Sequence, residues 1–246
     1  MKIMGKKKSL FLSAKWNNML FANYPIDYNL LKPLIPEGTE LDFWNGECFI
    51  SVVAFQFLDS KLFGFIPAFS QRNFDEINLR FYVKRKSYDN YTRKGVVFIK
   101  EIVPSRLVKF IANNVFGENY ISRNMKHQIG DFSEDSFDIS YSFKNDNFWN
   151  RFSAEISQNY ILPKAGDIEE FITEHYWGYA SKPNNPTVEY EVEHPQWTVY
   201  KVKKFNLDFN FGNVYGDSFS FLSKVEPSSV FFCIGSDVKV RFGTKI

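Results

Sequence analysis

The run Glu76-Ile77-Asn78-Leu79-Arg80-Phe81-Tyr82-Val83 sets four groups capable of chemistry at a spacing of two. Successive side chains of an extended strand point to opposite faces, so Glu76, Asn78, Arg80 and Tyr82 share one face while Ile77, Leu79, Phe81 and Val83 share the other. Such a row suits recognition of a small organic acid. Arg80 offers bidentate hydrogen bonds to a carboxylate, Asn78 and Tyr82 add neutral ones, and Glu76, once desolvated, serves as a general base. The same face can equally meet water on an open antiparallel sheet, and a polar interior arises only if the sheet closes around it.

A second set comes from strand register. With Pro183-Asn184-Asn185-Pro186 as the loop between strands around 173–180 and 187–194, pairing Ser181 with Thr187 sets Tyr176 opposite Val192 and Glu174 opposite His194. Glu174 and His194 then form an acid–imidazole pair, with Glu174 a second candidate base and His194 a proton shuttle near neutral pH. Tyr176, Gly178, Ala180, Val188, Tyr190 and Val192 fall on one face, which reads as buried. His175, Trp177, Tyr179, Glu189, Glu191 and Glu193 fall on the other, which reads as solvated. A one-residue slip would part Glu174 from His194.

Other chemistries lack their sequence marks. The chain has neither a P-loop nor a dinucleotide-binding glycine turn, and neither a nucleophile elbow nor an H-E-x-x-H helix. Three histidines and two distant cysteines, Cys48 and Cys233, encode no metal site or disulfide framework, so no metal and no cofactor is expected. The cysteines read as small buried hydrophobes, and their scarcity suits a reducing cytoplasm. The 30 Lys and Arg against 28 Asp and Glu provide no basic field for nucleic acid. No stretch approaches the ~20 apolar residues that would cross a bilayer, and the Lys6-Lys7-Lys8 cluster precedes too short an apolar run for a signal peptide, so no membrane partner is expected.

The elements that must position these groups are mostly strands. Phe137, Ile139, Tyr141 and Phe143 alternate with polar residues, and Asn145-Asp146-Asn147 turns the chain toward a partner carrying Phe152, Ala154 and Ile156. Asn45-Gly46 predicts a tight turn between Leu41-Asp42-Phe43 and the run from Cys48 to Phe57. The clearest helix starts at Ser105, carries Leu107, Phe110, Ile111 and Val115 on one stripe and ends at Gly117. Asp27 predicts a short helix through Leu31, and Asp167 with Glu170 predicts a capping box before Phe171. The 246 residues contain no linker or internal repeat. They read as a flexible segment over 1–15 and one domain over 16–246, an α+β fold dominated by an antiparallel sheet with a few covering helices.

Several motifs in order resemble a known family. Trp16, Leu20-Phe21-Ala22, Tyr24-Pro25-Ile26-Asp27, Leu34-Ile35-Pro36-Glu37-Gly38, Phe74-Asp75-Glu76-Ile77-Asn78-Leu79-Arg80, Gly95-Val96-Val97-Phe98, Phe171-Ile172-Thr173-Glu174 and His194-Pro195-Gln196-Trp197 are similar to motifs of the YqjF-like family, domain of unknown function 2071. The resemblance spans about Trp16 to Val240 and implies an acetoacetate-decarboxylase-like fold, a closed, cone-like antiparallel sheet with the ligand pocket inside. It also implies that Glu76, in Phe74-Asp75-Glu76, matches the aromatic-x-Glu motif of the decarboxylases. Their Gly-aromatic-Pro-Lys-Lys motif corresponds to Asn119-Tyr120-Ile121-Ser122-Arg123, where Ser and Arg replace the lysines. Neither can form an imine, although Arg123 can hold a carboxylate. Lys100 and Lys126 are the substitute amines to check.

Three readings stay open. The first is a small-molecule-binding protein or an enzyme without a Schiff base, acting on a small organic acid held by Glu76, Asn78, Arg80, Tyr82, Arg123, Glu174, Tyr176 and His194. The second is a binding module for an apolar ligand, and the third a structural or interaction domain.

Overall fold

In the computed structural model, residues 8–68, 71–87, 91–131, 135–182 and 185–246 are described. In chain order the strands are β1 (Leu10–Ile26), β2 (Glu40–Leu41), β3 (Cys48–Leu62), β4 (Ile66–Pro67), β5 (Phe74–Lys86), β6 (Thr92–Val103), β7 (Tyr120–Ser122) and β8 (Met125–Ile129). They continue with β9 (Ser136–Asn145), β10 (Phe148–Ile161), β11 (Trp177–Ala180), β12 (Val188–Glu193), β13 (Val199–Asp208), β14 (Ser229–Arg241) and β15 (Thr244–Lys245). Short α-helices accompany them among the described residues: α1 (Tyr28–Leu31), α2 (Arg106–Val115), α3 (Ile168–Thr173) and α4 (Phe211–Tyr215).

Strand pairing runs β12-β11-β6-β5-β3-β1-β14, and β12 pairs again with β14 through Val192–Val240 and Glu193–Lys239. Seven strands therefore form a closed ring, antiparallel except for the β6–β11 contact. The path continues from β14 through β13, β10 and β9 to β8. Apolar residues of β9 and β10, such as Phe137, Phe143 and Phe152, share one buried cluster with Ile77, Leu79, Phe81 and Val83. The apolar row of β5 thus packs outward against this second layer. A different cluster, with Phe21, Phe55, Phe57, Tyr82 and Phe231, fills the other face of the same strands.

Local chemistry sets the ends of these elements. Ser105 caps α2 by accepting from Val108 N at 3.1 Å, and Asp27 caps α1 by accepting from Asn29 N at 2.8 Å. At Asn45-Gly46 both residues have positive φ, as a tight two-residue turn requires, between the mutually bonded Trp44 and Glu47. That turn does not lead β2 onto β3, because β2 pairs with β5. The capping box at Asp167 is absent: the Asp167 side chain accepts from Lys164 N and Glu170 reaches Gly166 N.

Three further expectations change. The chain is in register from Leu10, with Phe11 and Ala14 buried, where a flexible segment was expected to extend to residue 15; residues 1–7 lie outside the described ones. The strand expected from 173 begins only at Trp177, since α3 occupies 168–173. The supposedly solvated face of β11 and β12 buries His175, Tyr179 and Glu189, because it packs against β5, β6 and α3 instead of meeting water. Of the loop thought to join these strands, Pro183 and Asn184 lie outside the described residues. Cys48 and Cys233 are free and buried. Among the described residues, no helix is long and apolar enough to cross a membrane.

Candidate functional site

A cavity of about 390 Å³ lies inside the ring. Its walls are apolar, with Trp16, Met19, Phe55, Phe57, Phe74 and Phe98 prominent, and α2 covers one side through Leu107, Val108, Ile111 and Ala112. Its size and apolar character match small-molecule sites. Glu76, Asn78 and Arg80 project into it from β5 and are 2%, 2% and 7% exposed, so the polar row meets the interior and not bulk water.

Two carboxyls that sequence reasoning passed over join them. Glu101 of β6 and Glu118, which precedes β7, line the same cavity, together with Tyr120 and Tyr190. Asn78 Nδ2 donates to Glu76 Oε1 at 3.0 Å, and the Tyr120 hydroxyl donates to Glu76 Oε2 at 2.9 Å. The Tyr190 hydroxyl donates to Glu118 Oε1 at 2.6 Å. Tyr190 reaches it because its ring crosses its strand partner Gly178, where a Cβ would stand only 2.1 Å from the ring.

A β-bulge places Glu101. Asn78 pairs with Glu101 and Leu79 with Lys100, but Arg80 pairs with Phe98, leaving Ile99 as the extra residue. Phe98 and Glu101, three apart, therefore both face the cavity. Strict alternation would have sent one of them outward.

Burial dominates the electrostatics. It pushes Glu76 up to about 7, against the opposing pull of Asn78, Tyr120 and Arg80. It pushes Glu118 up to about 8, opposed by the Tyr190 hydroxyl and reinforced by Glu76. Glu101 is raised well above the ordinary carboxyl range by burial and then by Glu118 and Glu76. Among the described lining residues, Glu101 Oε2, Asn78 Oδ1 and Arg80 Nε are buried without a hydrogen-bond partner, as are Trp16 Nε1, Ser60 Oγ and both ring nitrogens of His175. Among the described residues, no His, Cys, Asp or Glu group is gathered as a metal ion requires.

His194 and His175 form another part of the wall. His194 lies between Trp197, at 4.0 Å and nearly parallel, and Tyr176, at 4.6 Å. Its Nδ1–H donates to the Pro195 carbonyl, so Nε2 is the bare nitrogen, and burial lowers its pKa to about 4. At neutral pH it is an uncharged acceptor. Burial likewise lowers His175, whose Nε2 is 3.5 Å from Asp42 Oδ2.

The remaining predicted residues lie elsewhere. Glu174 follows α3 and is not on a strand opposite His194; its carboxylate accepts from the Tyr176 hydroxyl, so Tyr176 lies between the two. The Tyr82 hydroxyl is 2.6 Å from Ser51 Oγ, and its ring packs on Phe171 and His175 behind the wall. Arg123 lies outside the cavity and donates to Asn145 Oδ1 at 2.7 Å and to the Ser122 carbonyl. Neither substitute amine reaches the cavity. Lys100 donates to the Val214 carbonyl, its pKa lowered by burial and then by Arg123, and Lys126 lies 4.6 Å over the Trp149 ring in a separate outer groove.

The match with known proteins agrees with the fold. Residues 13–237 match the family of uncharacterised conserved proteins known as domain of unknown function 2071. The chain belongs to this family. It is 30% identical over 186 residues to the uncharacterised protein YqjF of Bacillus subtilis strain 168, covering 74% of this chain and 72% of that one. Its fold is that of the acetoacetate-decarboxylase-like proteins. The acetoacetate decarboxylase of Legionella pneumophila superposes with a TM-score of 0.65 at 14% identity over 98% of this chain and 89% of that one. An acetoacetate-decarboxylase-like enzyme from Sphingomonas wittichii RW1 gives 0.64 at 14%, covering 96% and 93%. The enduracididine biosynthesis enzyme MppR complexed with pyruvate gives 0.64 at 10%, covering 99% and 93%.

Proposed function

We propose that this protein binds a small organic acid with an apolar body inside the ring, and that any proton transfer there uses Glu76 and not a lysine imine. The observation that carries this reading is the lining of the cavity among the described residues: apolar walls around three carboxyls and one guanidinium, with no lysine. Among the described residues a ligand carboxylate has one charged partner available, Arg80, whose Nη2 donates to the Ile172 carbonyl at 3.3 Å while Nε has no partner. Arg80 is already held against the rings of Phe21 and Tyr82 at 5.5 and 5.6 Å, so little ordering is needed on binding. Glu76, held near neutrality, can take or give a proton close to physiological pH. Acetoacetate decarboxylase and the pyruvate-bound MppR, which share this fold, make small keto acids natural probes.

The test is thermal unfolding with acetoacetate, pyruvate, octanoate and 3-phenylpropanoate. An acid at ~100 times its Kd should stabilise the fold by about 2.7 kcal/mol, and Arg80→Ala should lose that shift. Borohydride treatment with acetoacetate should leave the intact mass unchanged. A stoichiometric adduct, or ligand shifts that persist in Arg80→Ala, would overturn the reading.

A further inference from the structure

The cavity holds more carboxyl groups than its cations can balance. Glu76, Glu101 and Glu118 are 2%, 2% and 6% exposed and enter from β5, β6 and the segment before β7. Arg80 is the one Lys or Arg among the lining residues described. Tyr120 from β7 and Tyr190 from β12 face the carboxyls as neutral hydroxyls, since burial and the carboxyls themselves raise both well above the usual phenol range. His175 and His194 are lowered by burial and contribute no charge at neutral pH. Lys182 lies outside the lining, donates to the Asn113 carbonyl and acts on Glu118 only as the smallest influence.

Three carboxylates against one guanidinium would leave two uncompensated charges in an apolar enclosure, which is strongly unfavourable. With no anion paired to Arg80, the balance of charge therefore favours one carboxylate held by Arg80 and two neutral acids. Glu76 is the natural carboxylate, because Asn78, Tyr120 and Arg80 all favour its charged form. Glu101 lies within hydrogen-bonding reach of the Tyr120 oxygen, and that hydroxyl donates onward to Glu76. The two carboxyls are thus joined through one phenol. An entering carboxylate that pairs with Arg80 removes the counterion of Glu76 and recreates the imbalance.

We propose that Glu76, Glu101 and Glu118 form one proton-holding cluster set by Arg80, so that an organic anion bound at the guanidinium enters together with one proton, which comes to rest on Glu76. The charge balances: one anion and one solvent proton enter, and no covalent bond forms or breaks. Binding thereby converts Glu76 from a carboxylate to a neutral acid that can donate to the ligand. This inference rests on the organic-acid reading above and adds the proton.

Calorimetric titration of the wild-type protein with octanoate, in two buffers of different ionisation enthalpy at about pH 7.5, tests it. The expected result is uptake of about 0.5–1 proton per octanoate, with affinity falling up to ~10-fold per pH unit above neutrality. Glu76→Gln, permanently neutral, should bind octanoate with almost no proton uptake at that pH. Glu101→Gln should keep the uptake, since the proton rests on Glu76. Octanoate binding with no uptake, or loss of uptake in Glu101→Gln, would overturn the cluster while sparing the organic-acid reading. So would octylamine binding without proton release, which would mark a site already ionised and ready for cations. Failure of octanoate and 3-phenylpropanoate to bind at any pH from about 5.5 to 8.5 would remove the organic-acid reading itself.

Discussion

Two buried acidic regions, both touching β12, show opposite bookkeeping. On the face that packs against β5 and β6, Glu189 accepts from Arg85 Nη1 at 3.0 Å, from the Tyr179 hydroxyl at 3.0 Å and from Arg93 Nη1, and Arg93 also stacks 4.3 Å over Trp177. One carboxylate there meets two guanidinium groups and a phenol. Among the described residues inside the ring, three carboxyls share a single guanidinium, and unpartnered polar atoms remain on Glu101, Asn78 and Arg80. The first region is a closed network that fastens β5, β6, β11 and β12 together. The second is an open one, and its unpartnered groups are what the proposed ligand would satisfy.

The contrast can be broken most forcefully at Glu189. Glu189→Ala removes the carboxylate on which two guanidinium groups converge, and should cost about 3 kcal/mol in chemical denaturation, because a half-removed buried ion pair leaves charge uncompensated. A loss no larger than that of an exposed glutamate would show that the network contributes little.

A smaller effect sharpens the other side. Carboxyls whose folded pKa is raised bind protons more tightly folded than unfolded, so their contribution to stability falls as pH rises from the unfolded value through the folded one. With Glu76 at about 7 and Glu118 at about 8, stability should drop between pH 6.5 and 8.5. The drop should be roughly 2–3 kcal/mol over those two pH units. Glu118→Gln should remove about two-thirds of it while still accepting from Tyr190. A flat stability profile would contradict the crowding of carboxyls. His194, lowered to about 4, acts in the opposite sense, mainly below pH 6.5, where the unfolded imidazole takes a proton the folded one refuses.

The smallest effect is expected from Tyr120→Phe. Losing one hydroxyl that donates to Glu76 should change stability by only about 1 kcal/mol. It should raise the Glu76 pKa further, since that hydrogen bond favours the carboxylate. Carboxyl chemical shifts followed through a pH titration would report the change, and a fall in the Glu76 pKa would reverse the assigned role of Tyr120.

Much of the scaffold was legible because local chemistry acts over a few residues. Ser105 and Asp27 cap their helices, and Asn145-Asp146-Asn147 turns β9 into β10 with Phe148 opposite Asn145. The register of β11 on β12 also followed from local counting: Ala180 pairs with Val188 and Trp177 with Glu191, in line with Ser181 opposite Thr187. The Glu174–His194 pairing failed even so, because α3 ends the strand before that register reaches Glu174.

What the sequence by itself determined is the two-faced character of β5: period-two alternation forces Glu76, Asn78 and Arg80 to one side and Ile77, Leu79 and Phe81 to the other. Which side became the interior was decided only by the tertiary structure, when β12 paired with β14 to close the ring and β9 and β10 covered the apolar row. Glu101, next to Lys100 in sequence, and Glu118, beside Asn119 in a connecting segment, carry no local mark of burial. A bulge at Ile99 rotates Glu101 inward, and chain closure brings Tyr190 across Gly178 onto Glu118. Alternation is a property of one strand, whereas a bulge and a ring closure depend on partners distant in sequence.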